Sequence, residues 1–210
     1  MSLSALKFTL PKIYPITDRR LTGLSHAAQV EKLLAGGARL IQLREKHAAP
    51  KAFYEEAEAA LEIARRNGAR IIVNDRVDLA LALGADGVHL GQDDLPPEKA
   101  REILGPDVII GFSTHSVEQA IAAARLPIDY LAIGPVFATS TKENPDAVVG
   151  VEGVARVRAA IDDFPLVAIG GITPSNFRAV VEAGADSLAV IKSILFPPGQ
   201  IAENLKTFEM

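Results

Sequence analysis

The 210-residue sequence contains no cysteine. This absence excludes disulfides, thiolate metal sites and a cysteine nucleophile, and it is typical of a cytoplasmic protein. Long hydrophobic runs are missing as well, so no segment of the sequence is suited to span a bilayer. The first 15 residues lack the basic region and the apolar region that together mark a signal peptide. We therefore expect a cytoplasmic protein with no membrane partner.

An excess of basic residues is also missing. Lys and Arg total 22 and Asp and Glu total 26, which gives a formal net charge of -4 at pH 7. A general nucleic-acid binder usually carries the opposite balance, because it must neutralise phosphates. The four histidines are scattered and lack the helical spacing of metal ligands. Nucleic acid is therefore not an expected partner.

The composition that remains is that of a globular domain. Hydrophobic residues make up 49% of the chain and charged residues 23%, which is not the balance of a disordered protein. A chain of this length can build one large domain with a full core. Neither a linker nor a shift in composition divides it. We therefore expect residues 1–210 to form a single domain.

Short apolar segments alternate with helical segments along the chain. Strands are predicted at residues 13–17, from 40 onward, and at 70–73, 87–90, 108–112, 130–133, 166–169 and 188–191. Helices are predicted at residues 26–35, 53–66, 77–83, 98–104, 117–124, 154–161 and 176–182, with a last one towards the C-terminus. Such alternation indicates parallel βαβ units, and eight of them close most simply into an α/β fold, the (β/α)8 TIM barrel. A doubly wound open sheet is the alternative.

A polar cluster follows the second strand. If the extended conformation continues there, Gln42, Arg44 and Lys46 project from the same side of the chain. An amide, a guanidinium and an ammonium together suit an anionic ligand with several oxygens, such as a diphosphate. The alternative is a solvated strand end in which Glu45 neutralises a neighbour.

Two carboxylates follow the next two strands. Asp75 comes after the third strand and Asp94 after the fourth, and the C-terminal ends of barrel strands form the active site. The two side chains can share a hard cation, since Mg²⁺ typically takes one or two protein carboxylates plus substrate phosphates. Alternatively, each aspartate caps the helix that follows it. Considered singly, each of the two aspartates is predicted to be a cap.

Hydroxyl groups and one lysine follow strands five and six. Ser113 comes after the fifth strand, and Ser116 is predicted to cap the next helix. The connection from 134 to 150 is long for a compact barrel, and such loops often bind ligands. Three consecutive hydroxyl residues in it, Thr139, Ser140 and Thr141, are followed directly by Lys142. Together they can offer several donors to phosphate oxygens, and a solvated polar loop is the alternative.

The last two strands also end in residues suited to phosphate. Gly170 and Gly171 follow the seventh strand, and Ile191, Lys192 and Ser193 follow the eighth. Many barrels bind a phosphate between these two loops, through backbone N–H groups that glycine leaves accessible. Cations and donors thus follow strands two, six, seven and eight, and carboxylates follow strands three and four. This pattern predicts an anion site with a metal beside it and room for two phosphorylated groups.

Five motifs, in this order and spacing, match a known family. They are Gln42-Leu43-Arg44-Glu45-Lys46, Asn74-Asp75-Arg76, the run DGVHLGQDD from Asp86 to Asp94, Gly134-Pro135-Val136-Phe137 with Thr139-Ser140-Thr141-Lys142, and Ala168-Ile169-Gly170-Gly171-Ile172. The chain resembles the thiamine phosphate synthase family over almost its whole length. The resemblance implies a (β/α)8 barrel and a transferase that joins two small molecules, hydroxymethylpyrimidine diphosphate and thiazole phosphate. A homodimer is one expected assembly.

The resemblance also implies roles for individual residues. The pyrimidine diphosphate would be held by Gln42, Arg44, Lys46, Asn74, Ser113 and Lys142. The thiazole phosphate would be held by Thr139, Thr141, Gly171 and the backbone near Ile191, and Mg²⁺ by Asp75 and Asp94. The bond broken joins carbon to oxygen, so the reaction is alkyl transfer. Catalysis then depends on stabilising the leaving diphosphate, and no protein nucleophile is required.

One position departs from the family pattern. The family usually shows Val-Ser or Ile-Ser after the last strand, with the serine on the thiazole phosphate. This chain has Ile191-Lys192 there, and Ser193 lies one position later. Either Lys192 replaces the serine as a phosphate donor or it crowds the pocket.

Three alternative functions remain open at this point. A thiazole tautomerase of the same superfamily places a catalytic histidine where this chain has Pro135, and proline cannot transfer protons. An aldolase-like lyase would use Lys192 to form a Schiff base. A catalytically inactive barrel would bind the product without turnover.

Overall fold

Eight parallel strands form one sheet in the described part of the protein. The structure is a computed structural model, and it describes residues 9–139 and 146–208. The strands are β1 Ile13–Pro15, β2 Leu40–Leu43, β3 Arg70–Asn74, β4 Gly87–Leu90, β5 Ile109–Thr114, β6 Tyr130–Ile133, β7 Leu166–Ile169 and β8 Ser187–Val190. Most of their residues are buried, as expected for strands covered on both faces.

The sheet closes on itself to form a barrel. Its strands run in the order β1-β8-β7-β6-β5-β4-β3-β2, and each neighbouring pair is parallel. A parallel bridge between Ile16 and Gln42 joins the two ends of this order, and the Thr17 amide donates to the Gln42 carbonyl over 2.9 Å. A doubly wound sheet would reverse its order partway. The predicted (β/α)8 barrel is therefore confirmed.

Helices follow the strands around the outside. They are α1 Arg19–Thr22, α2 His26–Ala35, α3 Pro50–Arg66, α4 Val77–Leu83, α5 Pro97–Leu104, α6 Val117–Ala123, α7 Gly150–Ile161, α8 Phe177–Glu182, α9 Lys192–Leu195 and α10 Ile201–Lys206, with a 3-10 helix at Pro198–Gln200. Ser116 caps α6 as predicted, accepting from the Gln119 amide. The short helix α1 was not predicted; Asp18 caps it by accepting from the Leu21 amide. Within the described ranges, no helix combines the length and the apolar character needed to cross a membrane.

Two strands end at other residues than predicted. The first strand ends at Pro15, two residues earlier than predicted, and only the bridge at Ile16 continues it. The fifth strand ends at Thr114, two residues later than predicted, so Ser113 lies within it. The second strand ends at Leu43, and the next amide, that of Arg44, donates to the Thr17 hydroxyl.

The inside of the barrel contains two large aromatic side chains, and a glycine lies beside them. Tyr14 and Tyr130 meet edge to face, with ring centroids 6.0 Å apart. Gly111 on β5 lies beside them, and a Cβ atom added there would stand 2.1 Å from Cζ of Tyr130 and 2.6 Å from Nδ1 of His89. Real atoms do not approach so closely. Glycine at 111 therefore makes room for the Tyr130 ring inside the barrel.

We predict that Gly111→Ala lowers the free energy of unfolding by at least about 2 kcal/mol, since an added methyl group overpacks the barrel interior. Gly199→Ala is the matched control, because a Cβ there meets no atom within 4 Å, and its effect should stay within about 0.5 kcal/mol. Urea unfolding measures both. Equal stabilities for the two variants would show that the barrel interior can relax around position 111.

Candidate active site

A cavity of about 930 Å³ opens at the C-terminal ends of the strands. This volume is near the upper end for small-molecule sites. Eleven of the predicted site residues line it: Gln42, Arg44, Lys46, Asn74, Asp75, Asp94, Ser113, Thr139, Gly171, Ile191 and Lys192. Thr141 and Lys142 lie outside the described residues. The structure thus brings together side chains from loops across the whole chain, while their roles as ligands stay predictions.

An ion pair orients the guanidinium on one side of the cavity. Nη1 of Arg44 lies 3.3 Å from Oδ2 of Asp18, and both side chains are largely buried. Asp18 is itself fixed, because its other carboxylate oxygen caps α1. The guanidinium retains further N–H donors for a ligand, since it has five in all. The sequence alone did not indicate Asp18 as a partner of Arg44.

A second ion pair joins the basic and acidic parts of the cavity. Nζ of Lys46 lies 2.5 Å from Oδ2 of Asp75. Asp75 adopts the left-handed conformation, with a φ of 63°, which is uncommon for a residue other than glycine. Its amide donates to the His89 carbonyl over 2.8 Å. This backbone bond and the lysine hold the Asp75 carboxylate at the cavity in a strained conformation, as is found at functional sites.

The two aspartates are neighbours. Burial raises the pKa of Asp94 above its usual value near 3.8, the Gly91 amide opposes this shift, and the adjacent Asp75 raises the pKa further. Neither carboxylate caps a helix, because α4 and α5 begin after Arg76 and Pro96 without a side-chain cap. The capping alternative is therefore wrong for both residues.

The acidic pair fits a metal that arrives with its ligand. Among the residues that the structure describes, no group of three or more His, Cys, Asp or Glu side chains is placed to hold a metal ion. Two carboxylates alone make a poor permanent site. They suit Mg²⁺, which usually keeps water and phosphate oxygens among its ligands. The mutual repulsion that raises the pKa of Asp94 would be relieved by such a cation.

Asn74 offers an unused donor to the same cavity. Its side chain is buried, and its Nδ2 atom has no hydrogen-bond partner within the protein. A buried N–H group without a partner costs free energy, so native structures rarely leave one unexplained. Asn74 lines the cavity, and an acceptor oxygen of a ligand would satisfy it.

The other half of the cavity is built by loops that follow β6, β7 and β8. The amides of Val136 and Phe137 donate to the carbonyls of Ile169 and Gly170 over 2.9 and 3.0 Å. A Cβ atom at Gly171 would lie 2.6 Å from the Ala138 carbonyl oxygen. Loop packing by itself therefore accounts for glycine at 171, although the sequence suggested that a ligand requires it.

Lys192 stands at the mouth of this second half. It is the first residue of α9, is exposed and lines the cavity. Ser193 lies one position later and donates its hydroxyl to the Ile172 carbonyl over 2.9 Å. That hydroxyl is therefore already engaged, whereas the Lys192 ammonium is exposed at the cavity.

Two histidines line the cavity, and the sequence predicted no functional role for His89. His89, on β4, is buried and bonds to Tyr130 and Ser113, and burial lowers its pKa to about 4. His115 bonds to the Gly134 carbonyl through Nδ1 over 2.6 Å. The available signal for His89 was a polar residue inside an otherwise apolar strand.

Known proteins resemble this chain along the whole barrel. A family model described as "Thiamine monophosphate synthase" matches residues 13–194. The thiamine-phosphate synthase of Azorhizobium caulinodans is 46% identical over 198 residues, which cover 93% of each chain. That of Chloroflexus aurantiacus is 44% identical over 185 residues, covering 88% of this chain and 85% of its own. The solved structure of thiamine phosphate pyrophosphorylase from Pyrococcus furiosus is 39% identical, with 93% and 92% covered and a TM-score of 0.84.

We predict that Asp94→Asn raises the Tm of the metal-free protein at pH 7. The folded pKa of Asp94 is raised, so its ionised form destabilises the fold once the pH exceeds the unfolded value near 3.8. The amide keeps an acceptor for the Gly91 N–H and removes the charge. The advantage should shrink as the pH falls through the raised pKa and should vanish below about pH 3.

Asp93→Asn is the control for this prediction, since it removes the same charge from an exposed neighbour. Thermal unfolding between pH 3 and 8 measures both variants. Equal Tm values for the two variants at pH 7 would show that the charge on Asp94 does not destabilise the folded protein.

Proposed function

The chain belongs to the thiamine monophosphate synthase family, and from this premise we propose that its cavity joins hydroxymethylpyrimidine diphosphate to thiazole phosphate. The products are thiamine phosphate and diphosphate, and the enzyme is a transferase. One observation carries the proposal at the level of the site. The guanidinium of Arg44, the ammonium of Lys46 and the carboxylates of Asp75 and Asp94 share one cavity.

The chemistry of the reaction explains why such a cavity is needed. The bond between the pyrimidine methylene carbon and the diphosphate oxygen breaks, and the thiazole nitrogen forms a bond to the same carbon. The methylene carbon can carry positive charge by resonance with the pyrimidine ring. Negative charge develops on the departing diphosphate, so fixed positive groups beside it lower the barrier. Holding both substrates in one cavity supplies much of the remaining rate enhancement.

On the diphosphate side, we assign the cationic side chains of Arg44, Lys46 and Lys142 to the phosphate oxygens. Gln42, Asn74 and Ser113 would add neutral hydrogen bonds to the same substrate. Support for Asn74 comes from its unpaired buried Nδ2 atom. Support for Arg44 comes from Asp18, which orients the guanidinium before any ligand binds.

Asp75 and Asp94 would hold Mg²⁺ in the presence of the diphosphate. When bound, the ion would supply positive charge to the phosphate oxygens. Lys46 lies against Asp75 in the structure, so it partly neutralises the acidic pair. The adjacency of the two carboxylates and the raised pKa of Asp94 support this assignment.

The thiazole phosphate would bind on the side of Thr139, Thr141, Gly171, Ile191 and Lys192. Lys192 would take the place of the serine found in related sequences, as a charged donor for the phosphate. Its exposed position at the mouth leaves the pocket open, which supports a donor role over a blocking one.

The alternative functions are not favoured. A tautomerase needs a proton-transfer group at position 135, which is proline in this chain. A Schiff-base lyase needs a desolvated lysine, whereas Lys192 is exposed. A catalytically inactive barrel would have no use for the cationic and acidic groups that meet in the cavity.

Three wider expectations accompany the proposal. The absence of cysteine supports a cytoplasmic location. We also propose that residues 1–210 form a single domain and that the protein forms a homodimer. Sedimentation equilibrium would test the assembly, since a mass of one chain, 22.3 kDa, at micromolar concentration would contradict a dimer.

The direct test of the proposal is turnover of both substrates, with and without Mg²⁺. We predict that Asp75→Ala and Asp94→Ala each lower kcat/KM by about 100-fold or more, because a metal contributes several kcal/mol of charge stabilisation. Asp107→Ala is the control, since Asp107 is exposed and precedes β5 at the opposite end of the barrel. Normal turnover of either active-site variant in Mg²⁺ would refute the metal assignment.

A separate prediction concerns Lys192. Lys192→Glu should raise the KM for thiazole phosphate about tenfold or more, because a like charge then faces the phosphate. The KM for the pyrimidine diphosphate should stay within about twofold. Lys192→Ser is the matched variant, and its hydroxyl should keep the KM for thiazole phosphate closer to that of the parent. An equal rise in both KM values would place Lys192 outside the thiazole phosphate site.

A further inference from the structure

A series of hydrogen-bonded polar side chains crosses the inside of the barrel at the floor of the cavity. The Gln42 amide donates from Nε2 to Oη of Tyr14 over 3.1 Å. Oη of Tyr14 lies 3.1 Å from Oη of Tyr130, which in turn lies 3.0 Å from Nδ1 of His89. Nε2 of His89 lies 2.9 Å from Oγ of Ser113. The proposed function gives no role to the three central members of this series.

The strands place these groups in one layer. His89 on β4 is in register with Gly111 on β5, and Gly111 is in register with Tyr130 on β6. The absent side chain of Gly111 leaves the space in which the Tyr130 hydroxyl meets His89. Ser113 follows Gly111 by two residues, so it points inward on the same strand one step nearer the cavity. The barrel thus builds a continuous connection from Gln42 to Ser113.

The contacts of this connection can all point in one direction. The Gln42 amide donates to Tyr14, and either tyrosine hydroxyl can donate in the contact between Tyr14 and Tyr130. If Tyr14 donates to Tyr130, the Tyr130 hydroxyl can donate to Nδ1 of His89. A neutral imidazole that accepts at Nδ1 carries its hydrogen on Nε2, and in this arrangement Nε2 of His89 donates to Oγ of Ser113.

We propose that His89 is a positioning residue that holds the Ser113 hydroxyl as a donor towards the substrate. Because Ser113 accepts from His89, its own hydrogen is directed to an acceptor oxygen or nitrogen in the cavity. The opposite tautomer would reverse both contacts of His89, and the Ser113 hydrogen would then be used on His89. The barrel interior thus sets the donor character of one cavity group, and this inference rests on the proposed function for the identity of the substrate.

The tautomer can be measured on the unaltered protein. Labelling with ¹⁵N-histidine distinguishes a ring nitrogen that carries hydrogen from one that does not, and His89→Gln assigns the His89 signals by their loss. We expect Nδ1 of His89 without hydrogen and Nε2 with hydrogen, at neutral pH and without ligand. Hydrogen on Nδ1 would overturn the proposal, whether or not the protein turns over its substrates.

Kinetics then test whether His89 acts through Ser113. His89→Leu should lower kcat/KM for the pyrimidine diphosphate by about tenfold, as expected for a lost hydrogen bond to a group that contacts the substrate. His89→Gln keeps an N–H donor and should stay within about threefold of the parent. In a Ser113→Ala background, His89→Leu should have no further effect, and the KM for thiazole phosphate should not change in any of these variants.

The control is Tyr54→Phe, which removes a hydroxyl that bonds to Glu58 on the exposed surface of α3 and should leave all constants unchanged. Additive losses from His89→Leu and Ser113→Ala would overturn the positioning role, as would an equal rise in both KM values. If the parent protein makes no thiamine phosphate, the proposed function fails. The tautomer measurement still decides the direction of the hydrogen bonds between His89 and its two neighbours.

Discussion

The site depends on the electrostatic cost of holding two carboxylates side by side. Asp75 and Asp94 lie in one cavity, and burial together with Asp75 raises the pKa of Asp94. Lys46 offsets part of this cost through its ion pair with Asp75. A divalent cation would offset more of it, and a diphosphate would then meet both the cation and the neighbouring Arg44. The acidic pair, the basic groups and a bound anion would therefore form one interdependent set.

The barrel makes this set possible by bringing the ends of distant strands to one place. Closure through the Ile16–Gln42 bridge sets β1 beside β2, so Asp18 can orient Arg44. Several features of the cavity oppose stability: the left-handed conformation of Asp75, the raised pKa of Asp94 and the unpaired amide nitrogen of Asn74. A well-packed core tolerates such costs, and proteins commonly carry them where ligands bind.

Much of the fold follows from the sequence, because apolar strands and helices alternate eight times and glycines separate them. The residues that line the cavity were also predictable, since a barrel brings the residue after each strand to one end. The remainder depends on tertiary geometry that periodicity does not contain. The sequence does not reveal that Asp18 pairs with Arg44, that loop packing requires glycine at 171, or that His89 reaches Tyr130 over Gly111.

A calorimetric titration of inorganic diphosphate, performed with and without free Mg²⁺, tests most directly whether cationic and acidic groups form one site. A shared site predicts that Mg²⁺ strengthens diphosphate binding by about tenfold or more, and that diphosphate strengthens Mg²⁺ binding by the same factor. Equal diphosphate affinity in the presence and absence of Mg²⁺ would contradict a site in which Asp75 and Asp94 hold a metal against the departing diphosphate.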